Sequence, residues 1–253
     1  MNDYTVASVD SALQLLAIIT DRPGLNLSEL ADCADMNTSR AFRLLTTLAG
    51  HRLVERVGDP AVYRLGTQAL VMGLAAGRQI DLAAAAQAPL LKLVEMFNEA
   101  CQVRVRDGFE TVCIARVEST HAVRVHGVIG NRRPVHVGAS GKLLMAYAPE
   151  AERERLLKRP LKQFTGRTRS DAAALHEELA AIVENGYALS QGEATPGAVA
   201  IAVPVMDARG NVLAALGMSI VESRYHKKAL PELVREMSEA ARELSRQLGH
   251  KIS

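Results

Sequence analysis

The stretch Leu27 to Leu48, LSELADCADMNTSRAFRLLTTL, constrains this chain more than any other, because it reads as two short helices joined by a tight turn. Leu27, Leu30, Ala31 and Ala34 recur at helical spacing, and Ser28 stands where a hydroxyl can accept an orphan first-turn N–H. Asp35, Met36 and Asn37 supply the turn. Asn37 or Thr38 then caps a second helix whose Ala41, Leu44, Leu45 and Leu48 form an apolar stripe. The opposite face carries Ser39, Arg40, Arg43 and Thr47, groups that reach phosphates and base edges when the start of such a helix enters a major groove. A plain helical hairpin with solvated arginines is the alternative.

Downstream, Leu53-Val54-Glu55-Arg56-Val57 and Val62-Tyr63-Arg64-Leu65 are extended runs separated by the turn residues Gly58-Asp59-Pro60-Ala61. They predict a β-hairpin, and with it a winged helix. Upstream, Val9, Leu13, Leu16 and Ile19 share one helical face and are expected to close the small core, giving a domain over residues 6–66. Residues 1–37 hold one basic residue, Arg22, against six acids, whereas residues 38–66 hold five arginines against Glu55 and Asp59. Bulk electrostatics would therefore favour nucleic acid only weakly. Phosphate contacts must come from a local basic face, doubled by dimerisation.

The whole chain, 253 residues, 48% hydrophobic and near charge +2, has room for a second domain with a sizeable core. It contains no run of about 18 apolar residues and no charged-then-apolar leader, so a cytoplasmic protein with no membrane partner is expected. Cys33, Cys101 and Cys113 lack paired spacing and read as small apolar fillers. From Gly66 to Ala100 the sequence is helix-forming, with Leu70, Val71 and Leu74 on one face, apparent interruptions at Gly77 and Pro89, and Asp81 as a cap. Residues 67–81 are expected to be a linker helix, its apolar stripe covered by a second subunit or by its own domain.

Beyond residue 100 short strands take over: Cys101 to Val105, Val112 to Val117, Val123 to Ile129, Ala200 to Met206 and Val212 to Ile220. Helical segments fall at Leu143 to Ala148, Pro149 to Lys158, Ser170 to Asn185 with Ser170 capping, and Pro231 to Leu248. The fold class is α+β, an antiparallel sheet flanked by helices, over residues 82–250. Gly138-Ala139-Ser140-Gly141-Lys142 joins a strand to a helix. Free N–H groups there are a seat for a carboxylate, unless the glycines serve only the turn. A phosphate-binding loop would need glycine where His136 stands, and a nucleophile elbow would need glycine at Lys142. His51, His121, His126, His136, His176, His226 and His250 are scattered, with His136 the one placed for a ligand role. Glu193-Ala194-Thr195-Pro196-Gly197 is a pocket loop or a turn. No catalytic residue, metal or cofactor is expected.

The order of Val9-Asp10-Ser11-Ala12-Leu13, Leu27 to Leu48, Tyr63-Arg64-Leu65-Gly66, Ala139-Ser140-Gly141-Lys142, and Gly192-Glu193 with Gly197 then Ala202-Val203-Pro204-Val205 resembles the IclR family of bacterial transcriptional regulators over almost the full length. The resemblance implies an N-terminal winged helix-turn-helix, a dimerising linker helix and a C-terminal GAF-like effector-binding domain. It also implies a dimer or dimer of dimers on a palindromic double-stranded operator, repressing or activating a catabolic operon under a small carboxylate. Carried across, the DNA contacts fall on Thr38, Ser39, Arg40, Arg43, Thr47, Arg56 and Arg64, and the effector contacts on Ala139, Ser140, Gly141, Ser190, Ala200, Gly217 and Ser219. Members that sense glyoxylate or pyruvate carry a serine-bearing strand where this chain has Gly217. Its absence implies a roomier pocket and argues against glyoxylate. His51-Arg52-Leu53 also departs from the usual glycine-plus-aromatic junction, an effect expected to be confined to local packing. Two rival readings stay open: a small-molecule enzyme, and a metabolite-binding module whose winged helix contacts protein.

Overall fold

The computed structural model describes residues 4–79 and 81–248, and its contacts divide the chain into two compact units at residues 79/80. Of Leu74, Gly77 and Asp81 only the backbone is described, and the expected C-terminal limit at residue 250, with His250, lies outside the described residues.

The first unit comprises α1 (Ala7–Asp21), α2 (Leu27–Cys33), α3 (Thr38–Gly50), β1 (Val54–Val57), β2 (Val62–Leu65) and α4 (Thr67–Gln79). The strands pair antiparallel, Val54 opposite Leu65 through Val57 opposite Val62, and form the expected wing. Leu15, Ile19, Leu30, Leu45, Leu48, Val54 and Tyr63 make the core. Four local expectations are corrected. Asn26, not Ser28, caps α2: its Oδ1 accepts from the Glu29 N–H at 3.1 Å while Glu29 Oε2 accepts from the Asn26 N–H at 2.8 Å. On α1 the buried face is Ser11, Leu15 and Ile19, whereas Val9 and Leu13 are exposed. Arg52 adopts φ 56°, a left-handed backbone that costs a non-glycine residue roughly 1 kcal/mol, so the junction departure touches the backbone as well as packing. Asn37 caps α3 as expected, accepting from the Arg40 N–H at 2.8 Å. Cys33 is exposed and fills no core.

The second unit runs α5 (Asp81–Ala85), α6 (Gln87–Phe97), β3 (Ala100–Asp107), β4 (Glu110–Val117), β5 (Arg132–Pro134), α7 (Ala139–Ala146), α8 (Glu150–Leu157), α9 (Ala172–Asn185), β6 (Ala188–Gln191), β7 (Ala198–Met206), β8 (Val212–Val221) and α10 (Leu230–Gln247). Gly77 lies inside α4, and Pro89 sits in the first turn of α6, where its missing N–H would have had no partner anyway. Asp81 is the first residue of α5 rather than its cap, and Asp171, not Ser170, caps α9 through the Ala174 N–H at 2.8 Å. The segment Val123 to Ile129 joins no strand. The short β5 instead edges the sheet, pairing Arg133 with Thr111, because the 118–131 stretch is irregular and returns the chain only at Arg132.

All pairings are antiparallel in the order β5-β4-β3-β8-β7-β6. Strand alternation then decides the layers. Val199, Ile201, Val203, Leu216, Met218 and Ile220 face α6 and α10, where Leu90, Leu93, Met237 and Leu244 complete one core. Ala200, Ala202, Ala215 and Gly217 face the other way, toward α7 and α9, with Leu143, Met145, Leu175 and Leu179. Small side chains on that face let α7 lie against the sheet. A Cβ at Gly141 would stand 2.6 Å from the Val135 carbonyl oxygen, and one at Gly217 would stand 2.8 Å from Ser140 Oγ.

Two alanine substitutions separate these approaches. Gly141→Ala meets rigid backbone and should destabilise the second unit by about 1–3 kcal/mol, while Gly217→Ala meets a hydroxyl that can rotate away and should cost less. Urea denaturation of both variants measures the difference; equal losses would mean that α7 slides freely on the sheet.

Candidate functional site

Two surfaces hold the residues singled out above. On the first unit, Thr38, Ser39, Arg43 and Thr47 are exposed along α3, and Thr47 Oγ1 donates to the Arg43 carbonyl at 3.0 Å. Arg40 is half-buried: its Nη2 donates to Ser11 Oγ at 2.8 Å and to the Ala7 carbonyl at 3.3 Å, clamping α3 to α1. Arg64 is engaged as well. Its Nε and Nη2 donate to Glu55 Oε2 at 3.2 and 3.0 Å across the wing, which cancels its charge locally. Arg43 and Arg56 are exposed and make no ion pair among the described residues. Thus two of the four expected contact arginines already have internal partners.

On the second unit the first turn of α7 overhangs the small-residue face of the sheet and closes a small cleft of about 40 Å³. Of the predicted effector residues, Ala139, Ser140, Gly141, Ser190, Ala200 and Ser219 line it. Gly217 lies just behind, under Ser140, so the space its missing side chain leaves is occupied by the Ser140 hydroxyl and adds no room for a ligand. Ser140, Ser190 and Ser219 are each more than nine-tenths buried, and none of the three hydroxyls has a hydrogen-bond partner among the described residues. Hydroxyls that open into a cleft can donate to or accept from a polar ligand. Ala194 and Thr195 also line the cleft, so the 193–197 segment is both a turn and a wall. His136 is elsewhere. Its ring bonds the Lys162 carbonyl at 3.0 Å and packs near Phe164, and it does not reach the cleft.

Sequence reasoning missed the charged lining. Gln102 and Arg104 point into the cleft from β3, Thr111 from β4 and Arg133 from β5. Their signal was present in Cys101-Gln102-Val103-Arg104-Val105, where polar residues alternate with apolar ones on what must be an inner strand. Arg104 donates from Nε to Thr111 Oγ1 at 2.9 Å, from Nη1 to Asn131 Oδ1 at 2.7 Å, and from Nη2 to the Thr111 and Asn131 carbonyls. Burial pushes its guanidinium down to about 10, with Arg133 and Arg116 adding repulsion. Arg133 is lowered by burial and then by Arg116. Burial also drives the Cys101 thiol up to about 12 and raises Cys113, so both remain neutral fillers as expected.

Beneath the cleft, Lys142 is wholly buried. Its Nζ donates to Glu193 Oε1 at 2.6 Å and to Glu178 Oε1, joining α7 to α9 and to the 192–197 loop. Among the described residues no group of three or more His, Cys, Asp or Glu is placed to hold a metal, and no helix is long and apolar enough to cross a membrane.

Comparison with known proteins assigns this arrangement. A family model described as the IclR helix-turn-helix domain matches residues 8–58, and one described as bacterial transcriptional regulator IclR C-terminal matches residues 75–246. The chain belongs to the IclR family. It is 32% identical over 241 residues to the HTH-type transcriptional regulator BhcR of Paracoccus denitrificans, covering 95% of this chain and 86% of that protein. It is also 32% identical over 247 residues to XynR of Escherichia coli, covering 97% and 98%. A solved IclR regulator from Alicyclobacillus acidocaldarius matches with a TM-score of 0.89 at 26% identity over 97% of this chain and all of that one. An IclR homolog from Microbacterium hydrocarbonoxydans, solved in complex with 4-hydroxybenzoate, matches with 0.84 at 26% identity over 95% and 98%. This IclR-family chain is a transcriptional regulator with a DNA-binding helix-turn-helix domain and an effector-binding domain, and not an enzyme.

The buried cluster yields a stability prediction. Lys142→Met leaves the buried Glu193 carboxylate without its cation and should cost roughly 3–5 kcal/mol, part of which Glu193→Gln restores in the double variant. Urea denaturation of the single and double variants measures both effects. A Lys142→Met chain as stable as the parent would show that the cluster holds nothing in place.

Proposed function

We propose that this IclR-family regulator works in the cytoplasm as a one-component switch, binding a palindromic operator as a homodimer or dimer of dimers and controlling a catabolic operon in response to a small carboxylate. The observation that carries the effector half is the set of three buried, unpartnered serine hydroxyls beside the α7 amides, an arrangement suited to an oxyanion. The solved relative that holds 4-hydroxybenzoate, itself a carboxylate, supports that reading.

The DNA half rests on Arg43 and Arg56, exposed and without ion-pair partners, next to Thr38, Ser39 and Thr47. Arg40 and Arg64 contribute chiefly by fixing α3 and the wing. A second copy of the chain would cover apolar side chains that the first unit leaves exposed, Val6, Val9 and Leu13 on and before α1 and Leu70, Val71 and Met72 on α4. Effector binding would act by population shift. A ligand that favours one dimer arrangement changes the spacing of the two α3 helices, and B-DNA accepts only separations near one turn, about 34 Å, or multiples of it.

Gel shifts against the intergenic DNA beside the gene, run over a salt series, test this reading. Affinity should fall as salt rises. Arg43→Ala should weaken binding by about 1–3 kcal/mol and flatten sequence discrimination if the guanidinium reads a base edge, with Arg56→Ala weakening all duplexes alike. Binding that ignores salt and both substitutions would transfer the winged helix to a protein partner.

A further inference from the structure

The cleft is charged more heavily than one carboxylate requires. Arg104 and Arg133 both line it, and neither has a carboxylate within ion-pairing distance among the described residues. Of the other charges nearby, Glu193 also lines the cleft but its Oε1 is held by Lys142, and Arg116, behind the lining, pairs with Glu118. The Arg133 side chain makes no hydrogen bond among the described residues, so its donors are free toward the cleft. Desolvated arginines without counter-charge are costly, and an anion entering the cleft relieves that cost.

The two sets of binding groups also lie apart. Ser190 and Ser219 stand on β6 and β8, with Ser140 above, whereas the arginines stand on β3 and β5. On β3 the residue opposite Ser219 is Ala100, four residues from Arg104, which is roughly 13 Å along the strand. Arg133 is three strands across from Ser219, about 14 Å, and level with Arg106, about 20 Å further along, so only its long side chain brings the guanidinium back to the same cleft. A single carboxylate on the serines leaves the guanidinium end unmet. An elongated acid with a second anionic group meets both.

We propose that the effector is a small dianionic acid, in its simplest form a dicarboxylate, with one carboxylate on the α7 amides and serine hydroxyls and the other on Arg133 and Arg104. This rests on the effector site proposed above and adds the second charge. It makes Arg133 the specificity-determining residue: it rejects uncharged tails because burying the guanidinium against them leaves the charge unpaired.

The test uses the full chain and two matched series, malonate, succinate, glutarate and adipate against propionate, butyrate, valerate and hexanoate, read by thermal shift and titration calorimetry. At least one dicarboxylate should raise Tm in proportion to its concentration while its monocarboxylate counterpart does not. Arg133→Gln should weaken that dicarboxylate on the order of tenfold or more and erase the preference, and Arg133→Lys should keep part of it. A monocarboxylate that binds as tightly as its dicarboxylate, equally in Arg133→Gln but not in Ser140→Trp, overturns the second charge and leaves the effector site intact. A flat response to all four dicarboxylates overturns it as well, and the DNA gel shift stands independently of either result.

Discussion

The close approach of α7 to the sheet is the constraint from which the second unit follows. It exists because β7 and β8 alternate large and small residues: Val199, Ile201, Val203, Leu216 and Met218 fill one core, and Ala200, Ala202, Ala215 and Gly217 leave the opposite face flat. Gly141 removes the last obstacle, where any Cβ would press on the Val135 carbonyl. A helix brought this near the strands aims its first amides at the sheet surface. The side-chain volume missing from that surface becomes a cleft at the same point. Packing and binding site are thus two results of one pattern.

Holding α7 there falls to an ion cluster that is costly as a source of stability. Two carboxylates share the buried Lys142 ammonium, with Arg169 Nε 3.6 Å from Glu178 Oε2 and Glu193 Oε2 unbonded, and such a cluster loses more hydration than its mutual attraction returns when compared with apolar packing. What the cluster supplies is direction. Apolar side chains would let the 192–197 loop settle in several ways, whereas Lys142 demands that Glu193 point inward, and Thr168 Oγ1 pins the Glu193 carbonyl at 2.7 Å. The wall formed by Ala194 and Thr195 is fixed as a consequence.

What the sequence made legible follows the range of the forces involved. The helix-turn-helix and wing were readable because caps, turns and short apolar periods act within a few residues, and Asn37, Gly58 and Val62 behave as their local chemistry dictates. The same locality explains the errors. Val9 and Leu13 share a periodic face with Leu16, yet the buried face of α1 is set by Leu45 and Tyr63, which are distant in sequence. Val123 to Ile129 has strand composition, but the strand it follows, β4, is already paired on both sides by β3 and β5. The alternation around Gln102 and Arg104 was readable but gave them no role, and Arg133 carried no signal, because which residues line a site depends on which sheet face α7 covers. The turn that holds Ser140 was legible from its glycines, whereas Ser190, Ala200 and Ser219 were reached through family resemblance and not through any local signal.

The first unit shows why so acidic a domain suits a regulated reader. Through residue 66 it holds six arginines against eight acids, and Arg40 and Arg64 are tied to Ser11 and Glu55. Non-specific affinity rises with the number of phosphates neutralised, so a reader with few free cations holds random DNA weakly. In the proposed dimer, occupancy of an operator would then depend on two copies engaging together, because each would contribute too little alone. Engagement of both copies would require a particular spacing, and spacing is what the proposed effector-controlled rearrangement would alter. A uniformly basic domain would stay bound through such a change; a sparsely charged one lets go.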